Sequence, residues 1–205
     1  MKSQKIYNFS GITTITRWFL YFQIAHLLLG FLMMLEPPLI IPIIEDIYSL
    51  YNNSLFLWFV SGIFILIWIY EASSNARNFG SSEMRFSSGG SVGWFFIPIY
   101  NLFKPYQAMK EIWLVSFGET DSHKGVVGTW WFIWIIAVLP GLIARAVSRN
   151  SYPSLDVESS EVLFGMAGLI QYTLELALAF ATLSLVNKLS KRQIENWDID
   201  KDIRI

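Results

Sequence analysis

Four long blocks of apolar residues constrain this chain more than any other feature of its sequence. The blocks cover about 16–35, 55–79, 126–147 and 162–186. A helix needs about 20 mostly apolar residues to cross the roughly 30 Å hydrocarbon layer of a bilayer. The blocks also lack the regular polar face of a helix in a water-soluble bundle, so they predict four transmembrane helices. We expect an all-α integral membrane helical bundle that forms a single membrane domain over 1–205.

Composition agrees with a membrane protein and narrows the classes of function. Apolar residues make up 54% of the chain and charged residues 15%, against about 45–50% and about 25% in soluble proteins. The net charge of −1 gives no indication of a nucleic-acid partner. With no cysteine and only two histidines, which lie in separate segments, no metal site and no other cofactor is predicted. Hydrolase-serine, paired-histidine and phosphate-loop motifs are absent, so an enzyme is disfavoured and no catalytic residue is assigned.

Three further segments are too short or too polar to span. The stretch 92–103 is apolar but contains Pro98 and Asn101, which predicts a re-entrant or interfacial segment. The stretch 105–117 has apolar and polar faces, which predicts a short amphipathic helix lying flat on the membrane surface. The last stretch, 187–205, is predicted to be a polar cytoplasmic tail.

The placement of lysine and arginine predicts the orientation of the chain. With four spans and the amino terminus inside, every basic residue except Arg145 and Arg149 falls on the inner side. A fifth span through 92–103 would carry the basic carboxyl-terminal segment outside, which the charge rule rejects. We therefore expect both termini in the cytoplasm.

The order of residues from Trp68 to Trp113 carries a family resemblance. Trp68-Ile69-Tyr70 is followed by Ala72, Asn75-Ala76, Gly80, a serine-rich loop, Gly93-Trp94-Phe95-Phe96-Ile97-Pro98, Asn101-Leu102-Phe103-Lys104-Pro105 and Met109, Glu111-Ile112-Trp113. This order resembles the bacterial membrane-protein family described as domain of unknown function 4328. The resemblance implies a multi-pass protein of the bacterial inner membrane. Because that family has no established biochemical activity, it implies no reaction.

Two ionisable residues lie near the middle of predicted spans, where polar side chains are costly and often functional. They are His26 in the first span and Glu175 in the fourth, and we expect them to meet as an intramembrane polar pair. Gln23 and Gln171 lie on the same helix faces and support the pair. Three interpretations remain: a buried hydrogen bond that fixes helix register, a proton relay or the polar end of a ligand site, and no interaction between the two residues.

A second candidate site lies at the inner face of the membrane. Its residues come from one stripe of the second helix and from the broken segment: Trp68, Glu71, Asn75, Asn78, Trp94, Pro98 and Asn101. Backbone groups that a proline frees must find partners wherever water is excluded. One interpretation is that Asn75 and Asn101 bond each other's backbone and lock the broken segment. The other is a substrate or lipid-headgroup site.

The sequence favours a non-enzymatic membrane module that interacts with partners or organises them. Its surroundings are the lipid bilayer, and its candidate partners are a second copy of the chain or another membrane protein. The alternative is a transport-like protein that handles a small ligand, a lipid or an ion between the second helix and the broken segment. A transport site predicts a polar cavity that reaches Glu175 or Glu71, whereas a module predicts a tightly packed interior.

Overall fold

The structure, a computed structural model, describes residues 8–34, 54–79, 84–118, 125–151 and 157–203. Six α-helices and two 3₁₀ turns occur in these residues, and no strand occurs among them. The helices are α1 (Ser10–Met34), α2 (Ser54–Asn78), α3 (Ser88–Gly93), α4 (Lys104–Phe117), α5 (Gly125–Ser151) and α6 (Val157–Ile203), and the 3₁₀ turns are Trp94–Phe96 and Tyr100–Leu102. The predicted all-α class is confirmed for this part of the chain.

Local sequence explains several helix ends. Asn8 Oδ1 accepts a hydrogen bond from the Ser10 backbone N–H at 2.9 Å, where α1 begins. Pro105 occupies the first turn of α4, where its missing N–H has no helical partner to lose. At the other end of α4, Gly118 has a φ of 87°, a conformation that glycine adopts without steric cost.

Three helices are long and apolar enough to cross a membrane. Their candidate spans are Ser10–Leu32 in α1, Phe56–Asn78 in α2 and Met166–Trp197 in α6, of 23, 23 and 32 residues. Three such helices indicate a membrane protein. The fourth predicted span falls in α5, whose described apolar stretch, Gly125–Leu139, is shorter. The rest of that predicted span lies outside the residues whose side chains are described.

The long helices pack side by side in the order α2, α1, α6, α5. Helix α4 lies across one end of the bundle, where it contacts α2, α5 and α6, and the short helix α3 packs on α2 beside it. The core gathers at this end, and its largest fully buried side chains include Trp68, Trp113, Leu20, Ile112 and Leu189. Each such side chain stabilises the fold by about 1.5–3 kcal/mol through the apolar area it removes from solvent.

Helix α6 is much longer than a membrane span. Its 47 residues give a length of about 70 Å at 1.5 Å per residue, more than twice the hydrocarbon thickness. Leu189 and Gln193 lie beyond the predicted span 162–186, and both have 0% exposure. The segment predicted as a polar cytoplasmic tail, 187–205, is thus part of a helix as far as Ile203, and its first turns belong to the packed interior. The segment is helical, and residues three and four positions apart form one face that meets α2 and α4.

Helix α4 is amphipathic, as predicted, but its apolar face is not available to lipid. Ala108, Met109 and Ile112 have 0% exposure, and Trp113 has 1%. This face packs on α2, α5 and α6. The prediction that the helix lies with its apolar face on the membrane surface is corrected. The extension of α6 covers part of that face, and the sequence pattern of α4 alone cannot reveal such a partner.

Candidate functional site

The predicted intramembrane pair lies where α1 packs on α6. His26 and Glu175 are both half-buried, and the carboxylate of Glu175 lies near enough to act electrostatically on the His26 imidazole. Glu175 Oε1 accepts a hydrogen bond from Gln171 Nε2 at 2.6 Å. The same nitrogen donates to the carbonyl oxygen of Ala137 on α5 at 3.2 Å. Gln171 thus connects Glu175 to α5, while Gln23 lies half-buried on α1.

The broken segment, 92–103, consists of the end of α3, two 3₁₀ turns and a tight chain reversal between those turns. At the reversal Ile99 has φ 67° and ψ −51°, and the Tyr100 backbone N–H donates to the Pro98 carbonyl oxygen at 2.8 Å. This is a γ-turn of the rare form, which is strained for a β-branched residue. The stretch that was predicted not to span is accordingly not a continuous helix.

Helix α5 holds the broken segment in place. Trp131 Nε1 donates to the Leu102 carbonyl oxygen at 3.0 Å, and the Trp131 ring meets the Phe95 ring edge-on with centroids 6.3 Å apart. The side chain of Asn101 makes no hydrogen bond within the described part of the chain. The lock predicted between Asn75 and Asn101 therefore lacks its bond from the Asn101 side chain, and the bond from Trp131 on α5 holds the segment.

A pair of hydroxyl groups joins α2 to α3. The Oγ atoms of Ser73 and Ser91 lie 3.1 Å apart in the buried interior. Ser91 Oγ also donates to the Ser87 carbonyl oxygen at 3.1 Å, so Ser73 is the donor of the pair. This bond fixes the start of the broken segment against α2.

Two residues of the predicted inner-face site, Trp68 and Asn75, belong to the buried core. Trp68 and Asn75 have exposures of 1% and 0%. Trp68 Nε1 donates to Ser190 Oγ at 2.9 Å, and Thr13 Oγ1 donates to the same oxygen at 3.1 Å. These bonds join α1, α2 and α6, so here the polar groups hold the helices together.

The remaining inner-face residues differ in exposure, and the Arg85-containing pocket described below includes only Trp94 of the predicted site. Glu71 and Asn78 are half-buried on α2, and Pro98 is exposed on the broken segment. Trp94 lines a pocket with residues that were not part of the predicted site. The seven predicted residues therefore differ in their surroundings, from the buried core at Trp68 to the exposed surface at Pro98.

Gln193 forms a second buried polar contact at this end of the bundle. Its Nε2 donates to the Ala72 carbonyl oxygen on α2 at 3.0 Å and to Ser116 Oγ on α4 at 2.8 Å. Ser116 Oγ in turn donates to the Ile112 carbonyl oxygen at 2.8 Å, and Arg192 Nε donates to the Ser116 carbonyl oxygen at 3.2 Å. One turn of α6 thus binds both α2 and α4.

Two oppositely charged side chains fix the backbone between α2 and α3. Arg77 Nη2 donates to the Met84 carbonyl oxygen at 3.1 Å and also to the Phe86 carbonyl oxygen. Glu111 accepts hydrogen bonds from the backbone N–H groups of Arg85, at 2.6 Å, and Phe86, at 3.2 Å. Because Arg85 takes part in these bonds only through its backbone N–H, its guanidinium stays available for another partner.

Beside this clamped backbone lies a pocket of about 300 Å³. It is lined by Arg85, Phe86, Ser87, Gly90, Trp94 and Lys104, and we call it the Arg85–Lys104 pocket. The guanidinium carbon of Arg85 lies 5.4 Å from the Phe86 ring centroid. Lys104 Nζ lies 5.5 Å from the same centroid and 5.7 Å from that of Trp94. Within the described residues neither cation forms an ion pair, so the pocket presents positive charge between aromatic walls.

In the sequence analysis Arg85 served only to predict orientation, and Lys104 served only for orientation and for the family resemblance. A signal was present, because Arg85-Phe86 and Phe103-Lys104 each place a cation beside an aromatic residue, before and after the broken segment. The sequence could not show that the chain reversal brings Lys104 to the same pocket as Arg85 and Phe86.

The family described as Domain of unknown function (DUF4328) matches residues 49–191. The chain belongs to this family. The match confirms the resemblance found between Trp68 and Trp113. For this DUF4328 chain, the matched region contains the Arg85–Lys104 pocket and Glu175 but not His26. No curated protein and no solved structure matches the chain.

Proposed function

We propose that this chain is a multi-pass protein of the bacterial inner membrane that acts as a non-enzymatic interaction or organising module. In this proposal α5 is the fourth span, and both termini lie in the cytoplasm. The basic residues support this orientation, because all of them except Arg145 and Arg149 then lie on the inner side. The end of the bundle that holds α4 and the Arg85–Lys104 pocket is then the cytoplasmic end.

The observation that carries the proposal is the use of buried polar groups to join helices. Ser190 accepts hydrogen bonds from Thr13 and Trp68, and Gln193 bonds to α2 and α4. A transport pathway requires polar groups that face water or substrate, whereas these groups face one another. Neither Glu71 nor Glu175 lines the Arg85–Lys104 pocket.

The outer faces of the helices also support an interaction module. Only 28% of the span of α1, 28% of that of α2 and 22% of that of α6 is buried within the chain. Trp18, Trp58 and Phe180 are exposed by 69%, 58% and 51%. In a bilayer these surfaces are covered by lipid or by the helices of a partner.

The Arg85–Lys104 pocket favours a second candidate function, the handling of a small ligand, a lipid or an ion beside the broken segment. Two cations and aromatic side chains line this pocket, whereas the core around Trp68 and Trp113 consists of apolar side chains. This candidate is compatible with the first, because a membrane module can bind a lipid or ligand at its surface.

Topology is tested with reporter fusions along the chain. The proposal expects extracytoplasmic signals for fusions after Leu50 and Ser154, and cytoplasmic signals for fusions after Ser88, Thr120 and Asp200. A fusion after Thr120 that reports from outside contradicts the four-span arrangement.

The interaction role is tested by photocrosslinking in cells. A photoreactive residue is placed in turn at Trp18, Trp58 and Phe180, with the buried position Trp68 as the control. We expect a discrete protein adduct from at least one exposed position and none from position 68. Lipid adducts alone at all three positions contradict the module. So does a proton flux in liposomes that Glu175→Gln abolishes, since such a flux identifies a transporter.

A further inference from the structure

The Arg85–Lys104 pocket combines two cations that share one aromatic ring. Both lie within 6 Å of the Phe86 centroid, at 5.4 Å for Arg85 and 5.5 Å for Lys104. Ring contact restrains two side chains that are otherwise flexible, which reduces the entropy lost when they bind the same ligand. The bonds from Arg77 and Glu111 to the backbone on either side of Arg85 fix the loop from which that cation projects.

The lining of the pocket also supplies neutral hydrogen-bond donors. Ser87 Oγ accepts the Gly90 backbone N–H at 3.0 Å, which leaves the hydroxyl proton for a ligand. A Cβ atom at Gly90 would lie 3.0 Å from Ser87 Oγ and 3.7 Å from Trp94 Nε1. The space in front of Gly90 is therefore bordered by a hydroxyl and an indole N–H, and a larger side chain there would fill it.

Two cations with neighbouring O–H and N–H donors suit a phosphate group. Phosphate oxygens form short, charge-assisted hydrogen bonds with guanidinium and ammonium groups, and these are stronger than neutral ones. Lysine and arginine bind phosphate in complementary ways, the first as a point charge and the second as a planar fork.

The broken segment beside the pocket indicates that the phosphate belongs to an amphiphile. The broken segment that borders Trp94 and Lys104 carries Phe96, Ile99 and Leu102, which are exposed by 70%, 73% and 52%. Apolar side chains so exposed beside a cationic pocket match a molecule with a charged head and an apolar body. A free phosphate has no apolar part that could contact these side chains.

We propose that the Arg85–Lys104 pocket binds the headgroup phosphate of an anionic phospholipid in the cytoplasmic leaflet. The acyl chains of the lipid lie along the exposed apolar side chains of the broken segment. This inference goes beyond the interaction module, and it rests on the proposed orientation because that orientation places the pocket at the cytoplasmic membrane surface. Basic pockets at that surface are a recognised setting for anionic lipid headgroups.

The test is native mass spectrometry of the full chain in detergent, titrated with phosphatidylglycerol or phosphatidylcholine. We expect Lys104→Met and Arg85→Ala each to weaken phosphatidylglycerol binding about tenfold, which is about 1.4 kcal/mol. Phosphatidylcholine binding should be weaker in the native chain and should not change in either variant. Lys104→Met keeps the apolar contact with Phe86 and Trp94 while it removes the charge.

Lys110→Ala is the matched control, because Lys110 is an exposed cation on α4 that contacts the Tyr106 ring at 6.0 Å and does not line the pocket. It should leave phosphatidylglycerol binding unchanged.

Gly90→Leu tests the pocket in a second way, since it fills the pocket and keeps every charge. It should weaken phosphatidylglycerol binding, as Lys104→Met and Arg85→Ala do. Each variant is compared with the native chain by thermal unfolding. If Lys104→Met does not fold, Gly90→Leu and Arg85→Ala still decide the question.

Three outcomes overturn the proposal. The first is equal weakening by Lys110→Ala and Lys104→Met, which indicates attraction by net charge alone. The second is unchanged binding in folded Gly90→Leu. The third is binding of a soluble anion in place of the lipid: inorganic phosphate or glycerol 3-phosphate binds through Lys104, and phosphatidylglycerol does not. A fusion after Ser88 that reports from outside refutes the orientation independently, because the binding assay in detergent does not depend on it.

Discussion

Gln193→Ala examines whether the extension of α6 belongs to the folded core. Gln193 has 0% exposure, and its Nε2 binds the Ala72 carbonyl oxygen and Ser116 Oγ. The two hydrogen bonds contribute about 1 kcal/mol each, and the cavity left by truncation adds about 1 kcal/mol or more. We therefore expect the free energy of unfolding to fall by about 2–4 kcal/mol.

A second variant separates the packing of Gln193 from its hydrogen bonds. Gln193→Met keeps the volume and removes both polar atoms, including Oε1, which is buried with no hydrogen-bond partner in the described residues. Losing the hydrogen bonds destabilises, and removing an unpaired buried oxygen stabilises, so the net loss should be only about 0–1.5 kcal/mol. Lys191→Ala is the matched control on the exposed side of the same helix, with an expected change within about 0.5 kcal/mol.

The assay is chemical unfolding in detergent, followed by tryptophan fluorescence. Trp68 and Trp113 lie in the same core, with 1% exposure each, so they report on its opening. If Gln193→Ala and Lys191→Ala have the same stability within about 0.5 kcal/mol, Gln193 does not bind α2 and α4. The polar segment predicted over 187–205 then does not belong to the packed core.

Two further expectations follow from the structure. His26→Ala and Glu175→Ala should show an interaction energy of at least about 0.5 kcal/mol in a double-mutant cycle measured by the same unfolding assay, and additive effects would end the pairing hypothesis. Asn101→Ala should change stability by less than about 0.5 kcal/mol because its side chain makes no hydrogen bond in the described chain, whereas Ser73→Ala should cost about 1 kcal/mol by removing the bond to Ser91. The opposite order in thermal unfolding would restore the lock between Asn75 and Asn101.

Patterns that depend on neighbouring residues could be predicted from the sequence. The candidate spans in α1, α2 and α6 could be predicted because the free energy of transferring an apolar block into the membrane is a sum over the residues of that block. Pro98 predicted the interruption of 92–103 for the same reason, since it acts on the backbone at its own position. The run of residues from Trp68 to Trp113 was sufficient to indicate the family.

The tertiary structure alone decided which polar residues meet. Gln193 and Ala72 are 121 positions apart in the chain, and Ser73 and Ser91 are 18 apart. No local pattern distinguishes a buried glutamine on the last helix from a solvated one, because burial depends on the partner that covers it. The Arg85–Lys104 pocket has the same origin, because its two cations come together where the chain reverses at Ile99 and Trp131 holds the broken segment on α5. The sequence by itself determined the helical membrane architecture, while long-range packing decided where charge and polarity remain available for a ligand.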